Sequence, residues 1–139
     1  MRRPEILFAA LRSVGAIALF ASAPVIAHHS YAMFDMKKEI TLEGTVVNFQ
    51  WTNPHIWIDM VVIDKKTGKP ANWSIEGSGP TLLAREGWRR DTIKPGDKVT
   101  LVTHPLKSGE NGGSLMKILV NGKEIGGNAK GFGEGKDGR

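Results

Sequence analysis

Between His55 and Ile63 the chain alternates with a period of two: Ile56, Ile58, Met60 and Val62 share one face, and His55, Trp57, Asp59 and Val61 the other. Such a segment is a strand with one buried face, and that face needs a second sheet or a closed barrel to cover it. The flanking sequence repeats the pattern. Residues Lys38 to Trp51 alternate and carry Val, Thr and Phe, which predicts a preceding strand with a bend at Gly44, broken by Asn53-Pro54. Asp64 to Pro70 reads as a hairpin loop with Gly68 available for a positive φ, and Ala71 to Glu76 as a third strand.

One helix follows. Ser78-Gly79-Pro80 offers a cap and a first-turn proline, Leu82, Leu83 and Ala84 supply the apolar side, and Gly87 can end the helix in the left-handed conformation. Ile93 to Asp97 is a turn that launches a fourth strand, Lys98 to His104, and a Gly-rich loop from Ser108 to Gly113 leads to a fifth, Leu115 to Val120. Asn121-Gly122 signals a tight hairpin, with a short return strand from Lys123 to Ile125. Three strands, a short helix and two more strands is the order of an OB-fold, a mainly β, five-stranded Greek-key barrel with its helix between strands three and four. A β-sandwich would want about seven strands and gives no reason for a capped helix in the middle.

The termini lie outside this barrel, which is assigned to residues 37–125. Arg2 and Arg3 precede a run from Ile6 to Ile26 that is nearly all apolar or small, and Val25-Ile26-Ala27 suits signal peptidase, so 1–27 reads as a signal peptide. The expected destination is the periplasm, with no membrane span kept after cleavage; Arg12 and Pro24 interrupt the run as a permanent helix. Residues 28–36 form an N-terminal arm. From Gly126 to Arg139, Gly dominates and the apolar residues shrink to Ala129 and Phe132, which predicts a disordered tail.

With the leader go Arg2, Arg3, Arg12 and Glu5, so the net charge falls from +5 to +3, a mild basicity that does not call for nucleic acid. The chain has no Cys, so neither disulfides nor thiolate chemistry is available to it. It also lacks a Gly-x-Ser-x-Gly elbow, a His-Glu-x-x-His pair and a phosphate-cradling loop, and no enzyme is expected. Asp59 and Glu76 could meet across neighbouring strands, but read more simply as exposed acids on the outer face.

The histidines carry the sharper expectation. Cleavage after Ala27 makes His28 the first residue, whose α-amine and ring Nδ1 can chelate one ion together. A second imidazole completes a three-nitrogen, T-shaped set suited to copper(II). An amine with pKa about 8 and imidazoles about 6.5 give up their protons to copper at neutral pH. His29, His55 and His104 are the candidates, since in an OB-fold the loops after strands one and four point toward one end. Met33 and Met36 add soft sulfur suited to copper(I). A simpler account makes His28 and His29 a polar terminus, ties His55 to its loop backbone, and leaves His104 on the rim. A second functional reading uses the aromatics: Trp51 and Trp57 form a ligand-binding surface for a peptide, glycan or cell-envelope partner, while Trp73 belongs to the core. Arg85, Arg89 and Arg90 around Trp88 form a small basic patch that a charged helix exit explains.

His28-His29-Ser30-Tyr31-Ala32-Met33-Phe34-Asp35, Trp51-Thr52-Asn53-Pro54-His55, the run from Gly87 to Asp97, and His104-Pro105 with Gly112-Gly113-Ser114 together resemble a family of small exported bacterial proteins known only as a domain of unknown function. The resemblance implies an exported single domain and lends no activity.

Overall fold

The computed structural model describes residues 31–125; the leader, His28 to Ser30 and the Gly-rich tail lie outside it. Its elements run β1 (Ile40–Gln50), β2 (Trp57–Ile63), β3 (Pro70–Glu76), α1 (Pro80–Arg85), β4 (Lys98–Pro105), β5 (Gly112–Val120) and β6 (Lys123–Glu124). The sheet order is β3-β2-β1-β4-β5-β6, and a further pairing of β3 with β5 closes it into the expected five-stranded barrel, with β6 as a short hairpin appendage. All neighbours are antiparallel except the closing pair, which is parallel and joins Ser74, Ile75 and Glu76 to Gly112, Gly113 and Ser114.

The alternation in β2 holds as written. Ile58 and Met60 are buried and face Ile75, Leu101 and Ile118 in one core cluster, while Trp57, Asp59 and Val61 are only half-buried. Long β1 serves two neighbours, pairing with β4 through its first half and with β2 through its second. Its irregularity lies between Val46 and Asn48, not at the expected bend at Gly44. Gly44 instead allows close packing, since a Cβ there would press on the Val61 carbonyl and the Met60 methyl.

Two further expectations are corrected. Gly112 and Gly113 are not loop but the start of β5. A Cβ on Gly113 would collide with the Thr103 side chain and one on Gly112 with Leu106, so bare backbone is what lets β5 lie between β3 and β4. Ser78 does not cap the helix either. Gly79 is the N-cap, no side chain caps it, Pro80 opens the first turn, and the Ser78 hydroxyl is buried with no hydrogen-bond partner. Gly87 does close the helix at φ +91°, and the Trp88 amide bonds back to the Leu83 carbonyl at 3.0 Å. This return drives Leu83, Trp88 and Ile93 into the barrel core.

The β2–β3 loop is held by Asp64, whose carboxylate accepts the amides of Lys66 and Thr67 at 2.8 Å each. These bonds hold its carboxyl below the usual aspartate range.

Trp88→Ala empties a buried indole site and should cost about 3–5 kcal/mol in urea unfolding, whereas Arg89→Ala should unfold as wild type. Asp64 is ionised in the native state at lower pH than in the unfolded chain, so its contribution is present above the unfolded pKa and fades as pH falls through the native one. Asp64→Ala should therefore lower the melting temperature at pH 7, and the gap to wild type should close in strong acid.

Candidate functional site

The sequence around the β1–β2 connection brings an imidazole against a buried acid. Asn53-Pro54 is a cis bond, the Thr52 hydroxyl donates to the His55 carbonyl at 3.1 Å, and Ile56 exchanges backbone bonds with Ser78 and Gly77 at 3.2 and 2.9 Å. The loop is thereby pinned to the end of β3. There the His55 Nδ1 meets the Glu76 carboxylate directly. Glu76, expected on an exposed outer face, is 4% exposed. Nor does it face Asp59: register sets Glu76 opposite Trp57, and Asp59 opposite Ser74.

Burial pushes the Glu76 carboxyl above its ordinary range, and the adjoining His55 offsets only part of that cost. A carboxylate accepts but does not donate, so the pairing places the His55 proton on Nδ1 and the ring lone pair on Nε2. A carboxylate behind an imidazole is the arrangement that fixes the tautomer and ring orientation of metal-ligating histidines.

The arm runs toward this pair. It docks antiparallel to the segment after β4: the Asp35 amide donates to the Pro105 carbonyl at 2.8 Å, Phe34 bridges to Leu106, and the Lys107 amide donates to the Met33 carbonyl at 2.9 Å. Phe34 is buried, and the Lys107 ammonium reaches the Ala32 carbonyl at 2.8 Å. Next along, Tyr31 lies near enough to Glu76 that its hydroxyl pKa is raised, mainly by burial and further by that negative charge. The arm thus crosses from the end of β4 to the end of β3.

His104 is placed differently. Its Nδ1 donates to the Lys38 carbonyl at 2.7 Å and the residue is buried, tying β4 to the entry of β1. His55 and His104 hold different partners, the Glu76 carboxylate and the Lys38 carbonyl. Among the described residues no three His, Cys, Asp or Glu side chains form a cluster able to hold a metal. His28 and His29 fall outside them.

The two candidate stacking residues also separate. Trp51 packs edge-on against Phe49 at 6.0 Å and against the core, while Trp57 stands half-buried on the outer face. Trp73, opposite the inward Met60, leans on the core as expected. Arg85, Arg89 and Arg90 are exposed around the buried Trp88. Among the described residues no helix is long and apolar enough to cross a membrane.

The profile of a family of unknown function, DUF6152, matches residues 16–116, and the chain belongs to that family. No curated protein matches it significantly. Among solved structures it is similar to a mitochondrial single-stranded DNA binding protein of S. cerevisiae, Rim1, with 8% identity and a TM-score of 0.46 over 60% of this chain and 92% of that one.

Removing His55 leaves the Glu76 carboxylate buried without its donor. His55→Ala should cost about 1–3 kcal/mol at neutral pH in urea unfolding, and adding Glu76→Leu should recover part of that loss. Equal stability of His55→Ala and wild type would contradict the pairing.

Proposed function

We propose that this protein is an exported, non-enzymatic binding module of the periplasm that holds a transition metal, copper above others, between the amino-terminal His28 and the loop imidazole of His55. The observation that carries the reading is the His55–Glu76 pair: a buried carboxylate on Nδ1 presents Nε2 as the ligating atom. The direction of the arm supports it. Tyr31 comes close to Glu76, and His28 is three residues upstream, a reach of about 10 Å at most. Once processed after Ala27, His28 contributes its amine and ring nitrogen, and His55 the third nitrogen. His29 is the alternative donor beside His28. His104 is left out of the proposed set because it is buried at 7% exposure, whereas the His55 side chain is a quarter exposed.

Copper is favoured over zinc by the donor set, since a T-shaped set of amine and imidazoles fits the tetragonal preference of copper(II). Glu76 behind the ring fixes its tautomer and orientation for ligation.

Calorimetry with copper(II) on protein beginning at His28 tests the reading. Affinity tighter than micromolar is expected, with losses of about tenfold or more for an Ala inserted before His28 and for His55→Ala, and about 10–100-fold for Glu76→Gln. Affinity weaker than micromolar, or indifference to both His55→Ala and the insertion, would refute it.

A further inference from the structure

Beside the His55–Glu76 pair, the outer face of β2 gathers chemistry that neither the core nor the proposed metal site uses. Trp57 and Asp59 project from that face together. Register sets Gln50 and Asn48 of β1 opposite them, and Ser74 of β3 opposite Asp59. The Asp59 carboxylate organises the group: Oδ2 accepts from the side-chain amides of Asn48 and Gln50 at 3.1 Å each, and Oδ1 accepts from the Ser74 hydroxyl at 2.7 Å. An amide whose nitrogen is committed to a carboxylate turns its carbonyl oxygen the other way. Asn48 and Gln50, both exposed, therefore present oriented acceptors beside a half-buried indole.

Two hollows adjoin this array on its β3 side, with Asn48 and Gln50 beyond their rims. One, of about 630 Å³, is bounded by Trp57, Phe34, Leu106, Ser74 and Asn111; the other, of about 360 Å³, by Asp59, Asn72, Ser74 and Asn111. Shared walls at Ser74 and Asn111 make them one furrow between the strand face and the β4–β5 loop. From this geometry we infer that the furrow binds a neutral oligosaccharide. One face of a pyranose ring stacks on Trp57, and its hydroxyls donate to the Asn48 and Gln50 carbonyls and exchange bonds with Asn72 and Asn111.

The chemistry selects this class. A nucleic acid would bring phosphates toward the central carboxylate of Asp59, with Lys107 at the furrow's edge offset by Glu110. An apolar peptide face would bury the oriented acceptors unpaired, at the cost of their desolvation. A polyol supplies donors to them and a C–H face to the indole.

The test is calorimetric titration, in the presence of a chelator, with maltohexaose, cellohexaose, chitohexaose and an oligothymidylate. The chelator keeps the outcome independent of the metal site. Saturable millimolar or tighter binding of at least one sugar is expected. Trp57→Ala should weaken it about tenfold or more with an unchanged melting temperature, Trp57→Phe should retain most of it, and Asp59→Ala, which frees the amides, should lose it. No sugar binding, binding untouched by Trp57→Ala, or tighter binding of the oligothymidylate than of any sugar would overturn the inference.

Discussion

Three parallel residue pairs, Ser74 with Gly112, Ile75 with Gly113 and Glu76 with Ser114, turn an open sheet into a barrel. The contact requires backbone where most sequences place side chains. A Cβ at 113 would enter the Thr103 side chain, and one at 112 would enter Leu106. Closure then sets β5 and the β4–β5 loop beside β3, gives the arm an edge to dock on through Phe34 and Leu106, and pairs the buried Glu76 with Ser114.

A covered carboxylate is expensive unless something donates to it. The cis Asn53–Pro54 loop, the Thr52 hydroxyl and the backbone exchange of Ile56 with Gly77 and Ser78 bring His55 to that position. The cost of burying Glu76 is thereby converted into a fixed imidazole tautomer at the end of the barrel toward which the arm leads. His104 uses the same Nδ1 chemistry toward the Lys38 carbonyl, and the result there is a brace between β4 and β1. Two histidines that look equivalent in the sequence thus do different work, separated by which acceptor each meets.

The barrel itself was legible because its signals are local. Period two across Ile56 to Val62, Pro80 and Gly87 around the helix, and Asn121-Gly122 each act within a few residues. Gly112-Gly113 was misread because a paired strand of glycines and a loop have the same local composition; the collisions that demand glycine come from Thr103 and Leu106, several residues away. The placement of His55 near the ligand end was readable from loop order, but its partner was not. Glu76 ends a strand and looks solvated, and only the register, which pairs it with Trp57 and Ser114, shows that it stands opposite Trp57 and not Asp59. The division of Trp51 from Trp57 likewise turns on the β1 irregularity between Val46 and Asn48, which leaves Phe49 opposite the inward Ile58.

In the His55–Glu76 arrangement Glu76 holds the His55 proton on Nδ1 and leaves Nε2 as the ligating nitrogen. Long-range proton–nitrogen NMR of the imidazole in the metal-free protein, at a pH where the ring is neutral, reads this directly. A protonated Nδ1 and a pyridine-like Nε2 are expected in wild type, with the two tautomers mixing in Glu76→Gln. A wild-type ring protonated at Nε2 would contradict it.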